Sequence, residues 1–131
     1  MKHIIVLIIS LIGLSISAYS NEFKLAFEWG NIKKCNTGYP NRVDNPIFIL
    51  KHVPDGTVLL KFRMKDKNVP SYNHGGGKTE YSGNDTINPG VFKYKSPCPP
   101  GRTHTYEWKV IAYDENNKKL GSAVAQRKYP E

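Results

Sequence analysis

The residues best suited to chemistry in this sequence are histidines and a tyrosine that stand close to proline- and glycine-rich stretches. His104 and Tyr106 lie two positions apart, and side chains at that spacing share one face of a β-strand. An imidazole and a phenol both donate hydrogen bonds to anionic or carbonyl oxygens. The pair therefore indicates a small donor surface, although a single histidine beside an aromatic residue is more often structural.

Two stretches of unusual backbone accompany these side chains. Pro97-Cys98-Pro99-Pro100 is stiff and has few N–H donors, so it predicts a rigid apolar wall. His74 is followed by Gly75-Gly76-Gly77, and a glycine run lets the backbone approach a ligand and present amides to an anion. Together the two stretches favour a small anion-accepting pocket.

The order of these motifs resembles the phosphatidylethanolamine-binding protein family, whose bacterial members are often described as Raf-kinase-inhibitor-like. In that family a strand ends in Asp-Pro-Asp-x-Pro, a histidine follows, and Gly-Pro-x-Pro-Pro and His-Arg-Tyr come later. The resemblance covers about residues 46–114. The matching positions in this sequence are, in chain order, Asp66, Pro70, His74, Pro97, Pro99, Pro100, His104 and Tyr106.

The resemblance implies a mainly β fold, in which a large antiparallel sheet packs on a smaller one and helices are few and short. It implies one domain over residues 21–131 and a small pocket for a phosphate-like anion or a phospholipid head group. No cofactor and no catalysis are expected. The residues that would line the pocket are Asp66, Pro70, His74, Pro99, Pro100, His104 and Tyr106.

The sequence departs from the family pattern at several positions. Lys67 and Asn68 stand where the family has Pro and Asp, Ser96 replaces a glycine, and Thr105 replaces an arginine. The chain is also shorter than typical members and lacks their usual C-terminal helix. The fold is therefore carried over more readily than the identity of the ligand.

Three other functions compete with ligand binding. An inhibitor of a protease or of another envelope protein is one, because some relatives are inhibitors. A hydrolase is a second, since His74 and its three glycines are similar to an oxyanion loop, but no Gly-x-Ser-x-Gly nucleophile motif accompanies them. A metal site is the third, and the candidate ligands match no standard zinc spacing. Those candidates are His52, Asp66, His74, Cys98 and His104.

Alternating apolar residues predict the strands that must position these side chains. The alternation is clear over residues 21–29, 58–64 and 103–113, and shorter apolar runs predict strands at 47–50 and 91–94. Residues 65–90 are interpreted as irregular. Residues 120–125 are interpreted as a last short element, and residues 126–131 as a polar tail.

The N-terminus has the pattern of a secretory signal peptide. Lys2 precedes an apolar run of about a dozen residues, and Ala18-Tyr19-Ser20 places small residues at the −3 and −1 positions. We expect residues 1–20 to be a signal peptide cleaved after Ser20, and the mature protein to be periplasmic or secreted. An uncleaved anchor is the alternative, but the interrupted run falls short of the ~20 apolar residues that a bilayer requires.

The net charge restricts the classes of partner that we expect, and the cysteine content predicts a disulfide. Loss of Lys2 with the signal peptide lowers the net charge from +8 to +7. The basic residues are scattered and the protein is exported, which argues against nucleic acid and leaves at most peripheral membrane contact. Cys35 and Cys98 are an even pair, and in an oxidising compartment such a pair predicts a disulfide, with two free thiols as the alternative.

Overall fold

The computed structural model describes residue 13 and residues 21–131. The predicted signal peptide, Gly13 apart, lies outside the described residues. Within the described part of the chain, no helix is long and apolar enough to cross a membrane.

Residues 21–131 form nine β-strands and no helix. The strands are β1 (Lys24–Glu28), β2 (Arg42–Asp44), β3 (Ile47–Lys51), β4 (Leu59–Asp66), β5 (Gly76–Glu80), β6 (Thr86–Ile87), β7 (Lys93–Lys95), β8 (His104–Tyr113) and β9 (Lys119–Tyr129). They make three antiparallel sheets, a four-stranded sheet in the order β5-β4-β8-β9, a three-stranded sheet β1-β3-β6, and the pair β2-β7. The prediction of a mainly β, antiparallel fold is confirmed.

The core lies between the four-stranded and the three-stranded sheets. Successive side chains of a strand point to opposite faces, so the alternation in β4 and β8 buries one face of each strand. Across the gap, Phe48 of β3 stacks on Phe62 of β4 with ring centroids 4.2 Å apart, and meets Trp108 of β8 edge-on at 5.1 Å. Aromatic pairs in these arrangements contribute about 0.5–1.5 kcal/mol each beyond the area they bury.

The buried side chain of Asn45 fixes the loop before β7, and this loop contributes Phe92 to the core. The Asn45 side chain accepts hydrogen bonds from the amides of Val91 and Phe92 and donates to the carbonyl of Asn88. Because a buried amide without partners is costly, these bonds define the path of the loop before β7. The ring of Phe92 then packs beside Phe48 and Phe62.

Two expectations about regular structure are wrong. The few short helices are not seen in residues 21–131, because the connections are turns and bends rich in proline and glycine that lack a helical apolar period. Residues 126–131 are not simply a polar tail, since β9 continues to Tyr129. Arg127 Nε donates to the carbonyl of Phe27 at 2.6 Å, and the Tyr129 ring packs 5.2 Å from that of Trp29.

The glycine run also differs from its interpretation as part of an irregular ligand loop. Gly76 and Gly77 begin strand β5, which pairs with β4. A Cβ atom on Gly76 would lie 1.9 Å from the carbonyl oxygen of Phe62, and one on Gly77 would lie 2.2 Å from the Phe92 ring. The absence of side chains at these positions therefore allows close packing inside the protein.

We expect Gly76→Ala to destabilise the protein by about 2–3 kcal/mol, because a methyl group cannot be accommodated against a strand backbone without displacing it. The measurement is equilibrium unfolding in urea. The control is Thr79→Ala in the same strand, which should cost less than about 1 kcal/mol. Equal stability of Gly76→Ala and the wild type would contradict the packing role.

Candidate functional site

A cavity of about 310 Å³ lies where β4 ends and β8 begins. It brings together six of the seven residues that the sequence proposed for a pocket, namely Asp66, His74, Pro99, Pro100, His104 and Tyr106. These residues come from two strands of the large sheet, from the segment before β5 and from the loop before β8. The volume is at the lower end of the range for small-molecule sites.

Pro70, the seventh residue proposed for the pocket, does not line this cavity. It lines a separate depression on the other side of its loop, together with Arg63 and Lys65. The reason is the turn after β4, in which Oδ1 of Asp66 accepts hydrogen bonds from the amides of Asn68 and Val69. This turn brings Val69 to the cavity instead of Pro70.

Asp66 and His104 form a buried pair at the centre of the site. Nδ1 of His104 donates to Oδ2 of Asp66 at 2.7 Å, and only 4 % of Asp66 and 7 % of His104 are exposed. A carboxylate only accepts hydrogen bonds, so Nδ1 carries the proton and Nε2 of the ring is left for a ligand. Both carboxylate oxygens of Asp66 are thereby used inside the protein.

His74 is held in the same manner by a backbone carbonyl. Its Nδ1 donates to the oxygen of Lys95 at 2.9 Å, and its ring packs against those of Tyr72 at 4.6 Å and Tyr106 at 5.6 Å. Burial lowers the pKa of His74 below its usual 6.5, and the hydrogen bond to Lys95 opposes this shift less strongly. The ring is therefore mostly neutral at pH 7 unless a bound anion stabilises its charged form.

Tyr106 stands between the two histidines. Its ring centroid lies 5.6 Å from that of His74 and 6.2 Å from that of His104. Burial raises the pKa of Tyr106, the nearby Asp66 charge raises it further, and a hydrogen bond from the Cys98 backbone opposes both. The phenol consequently keeps its proton at neutral pH and remains available as a donor.

The disulfide predicted from the sequence is present and forms part of the cavity rim. Cys35 and Cys98 are joined with an S–S distance of 2.03 Å and lie 63 positions apart. Closing a loop of this length stabilises the folded chain by about 4 kcal/mol on the chain-entropy model. The bond ties the segment after β1, which contributes Gly38 to the cavity, to the proline wall. A bonded pair is also compatible with export.

Sequence reasoning did not assign four further lining residues: Gly38, Val69, Tyr72 and Ser96. Val69 and Tyr72 are 42 % and 48 % exposed, which is high for large apolar side chains. Their placement in an otherwise polar loop was the available signal. Cys98 was recognised as part of the proline wall but only as a disulfide partner, and it also lines the cavity.

The site offers directional hydrogen-bond donors and no evident metal centre. In the described residues, no group of three or more His, Cys, Asp or Glu side chains is arranged to hold a metal ion. Ser96 lines the cavity, but its hydroxyl donates to the backbone carbonyls of Pro40 and Asn41. The chemistry left to the cavity is therefore that of two imidazole Nε2 atoms and the phenols of Tyr72 and Tyr106.

Comparisons of this chain with protein-family profiles, with curated proteins and with solved structures give no match.

We predict strong energetic coupling between Asp66 and His104. Asp66→Asn and His104→Gln should each destabilise the protein by about 3 kcal/mol, because removing one partner leaves the other buried without its counterpart. The double variant should lose much less than the sum, with a coupling above about 1 kcal/mol. The measurement is urea unfolding of all four proteins.

The exposed pair Lys93 and Asp44, whose charged atoms lie 3.0 Å apart, supplies the control cycle. Lys93→Gln and Asp44→Asn should couple by less than about 1 kcal/mol because water screens the pair. Additive effects at Asp66 and His104 would contradict the assignment of a buried hydrogen-bonded pair.

A second prediction concerns pH. The pKa of His74 is lower in the folded protein than in the unfolded chain, so the unfolded chain binds more protons in the window just below pH 6.5. The contribution of His74 to stability is thus complete above pH 6.5 and is lost as the pH falls through its folded-state pKa.

We expect His74→Gln to reduce the fall in melting temperature between pH 7.5 and pH 5.5. The exposed His52 provides the control, since His52→Gln should leave the pH dependence as in the wild type. Parallel pH profiles for the wild type and His74→Gln would show that the folded structure does not resist protonation of His74.

Proposed function

We propose that the protein is an exported binding protein that holds a phosphate-like anion, such as a phospholipid head group, without catalysis. The observation that best supports this proposal is the arrangement of His74 and His104 around Tyr106. Each ring uses Nδ1 for an internal acceptor and lines the same cavity. The Tyr106 hydroxyl is then available to an oxygen of a small ligand, and each Nε2 atom donates to such an oxygen when its ring is protonated.

Asp66 needs explanation in a site for an anion. A free carboxylate in the cavity would repel a phosphate group. Here its two oxygens accept from His104 and from the amides of Asn68 and Val69, so its charge is already partly compensated. The hydrogen bond from His104 to the Asp66 carboxylate is charge-assisted, and bonds of this kind are the stronger ones.

The size and walls of the cavity favour a head group over a whole lipid. A volume of about 310 Å³ accommodates a phosphate ester with a short substituent but no pair of acyl chains. Pro99 and Pro100 provide a stiff wall on one side, and Val69 and Tyr72 provide apolar surface beside it. The resemblance to phosphatidylethanolamine-binding proteins points to the same class of ligand.

Binding is favoured over hydrolysis by the state of the one serine in the cavity. A serine nucleophile requires a histidine within hydrogen-bond reach to remove its proton. The Ser96 hydroxyl instead donates to the carbonyls of Pro40 and Asn41. A cavity whose serine is not activated as a nucleophile fits a receptor for an anion.

We predict that His104→Gln weakens the binding of inorganic phosphate and of phosphoethanolamine roughly ten- to a hundredfold, because the Nε2 donor to the ligand is lost. The substitution also destabilises the protein, so the folding of the variant is verified before its binding is measured. The measurement is isothermal titration calorimetry of the exported protein at pH 5.5 and pH 8, with binding tighter at the lower pH.

His52→Gln is the matched control, because it removes a histidine that is exposed and distant in sequence from the cavity residues. It should bind both ligands as the wild type does. If His104→Gln is folded and binds normally, the ligand is held elsewhere. Turnover of phosphate or carboxylate esters by the wild type, lost in His104→Gln, would show that the protein is an enzyme.

A further inference from the structure

The outer face of the four-stranded sheet, opposite the core, is strongly basic. Residues directly opposite one another on neighbouring antiparallel strands point to the same side, so the strand register identifies the side chains of this face. We call it the basic face, and its cations are Lys61, Arg63, Lys65, Lys78, Lys109, Lys119 and Lys128. All seven are exposed. The same register places two acidic residues on this face, Glu80 and Glu107.

Several cations of the basic face lie directly opposite other cations on neighbouring strands. Lys61 lies directly opposite Lys78, and Arg63 lies directly opposite Lys109. Like charges in such cross-strand pairs are unfavourable for the sheet. Glu107 is opposite Lys65 but lies 3.6 Å from Lys67, outside the strand, and accepts a hydrogen bond from Gln126. The positive charge of the face is therefore not neutralised within the protein.

The other outer face of the molecule provides a comparison. On the three-stranded sheet, the exposed charged residues are Lys24, Lys51 and Glu28. The basic face thus has a net charge of +5 against +1 on the three-stranded sheet. Much of the excess positive charge of residues 21–131 is consequently concentrated on one surface.

The composition of the face distinguishes between kinds of anionic partner. Protein interfaces have aromatic anchors at their centres and are depleted in lysine. On the basic face the large exposed apolar side chain is Val124, and the Tyr113 ring is covered by the Lys61 ammonium at 4.7 Å. Six lysines and one arginine without an aromatic anchor suit a diffuse layer of negative charge, as at a surface of anionic lipid.

We propose that the basic face docks the protein peripherally on a bilayer that contains anionic phospholipid, with no segment of the described chain inserted. The attraction is electrostatic and does not depend on the function proposed for the cavity. Tyr72 lines both the cavity and the depression beside Arg63 and Lys65. The basic face therefore extends to the rim of the cavity, and docking leaves the cavity, which lies on the inner side of the sheet, unobstructed.

The test uses the exported protein and sedimentation with vesicles of phosphatidylcholine, alone or mixed with phosphatidylglycerol. We expect binding to the mixed vesicles only, with a loss at high salt. The face variant carries Lys61→Gln, Arg63→Gln and Lys109→Gln. Each neutralised cation should cost about fivefold in partitioning, so the variant should bind about a hundredfold more weakly.

The control variant carries Lys24→Gln, Lys33→Gln and Lys51→Gln, which changes the net charge by the same amount away from the basic face. It should keep most of the binding. Equal losses in the two variants would overturn the proposal, because net charge alone would then account for the attraction. The face variant should melt no lower than the wild type, since two like-charge pairs are relieved.

Two further measurements separate the basic face from other routes to a membrane. His104→Gln should bind the mixed vesicles as the wild type does, and a loss there would show that the cavity holds the membrane and would refute the proposal. Binding to phosphatidylcholine alone, or binding that persists at high salt, would also refute it, since apolar insertion behaves in that way. Tighter binding to an acidic polypeptide than to the vesicles would identify a protein partner instead.

Discussion

The carboxylate of Asp66 is the group on which the site depends. It ends β4, accepts the proton of His104 at the start of β8, and accepts two amides of the turn that follows. A buried carboxylate without such partners would cost several kcal/mol. The strand pairing, the direction of the turn and the orientation of the imidazole are consequently linked, and a change in one of them affects the others.

The remaining walls of the cavity are positioned by different constraints. The disulfide between Cys35 and Cys98 restricts the unfolded chain and joins the segment after β1 to the proline wall. His74 is held by reciprocal backbone and side-chain bonds with Lys95, which belongs to β7. The cavity is therefore assembled from segments that are distant in sequence, and its shape depends on the packing of all the sheets that carry them.

The sequence predicts the parts of this structure that follow from local rules. Period-two alternation identifies β1, β4 and β8 because a half-buried strand requires it, and the motif resemblance identifies most of the lining residues. The sequence-based prediction fails where one residue type serves two purposes. Gly76 and Gly77 fit the pattern of an anion-binding loop, but the structure needs glycine at these positions because the Phe62 backbone and the Phe92 ring pack closely against them.

Other failures have a non-local cause. Pro70 leaves the cavity because the Asp66 side chain determines the turn. Strand β9 continues into the last residues of the chain, where the Arg127 side chain donates a hydrogen bond to the carbonyl of Phe27, 100 positions away in sequence. Nothing in the sequence indicates the structural role of Asn45, because its side chain bonds to backbone groups of residues 88–92. Partners of this kind become visible only when the chain is folded.

The two proposals assign different physical means of attracting negative charge to the cavity and to the basic face. Inside the cavity, donors are few, oriented and partly desolvated, so the proposed recognition depends on hydrogen-bond geometry and on the protonation of His74. On the basic face, lysines are exposed and mobile at their ends, so attraction is additive, non-directional and screened within about 10 Å at 0.1 M salt. The electrostatic attraction of the basic face and the hydrogen bonds of the cavity act over different distances. A protein held loosely at an anionic surface would therefore meet head groups at a raised local concentration, and the cavity would determine which head group binds.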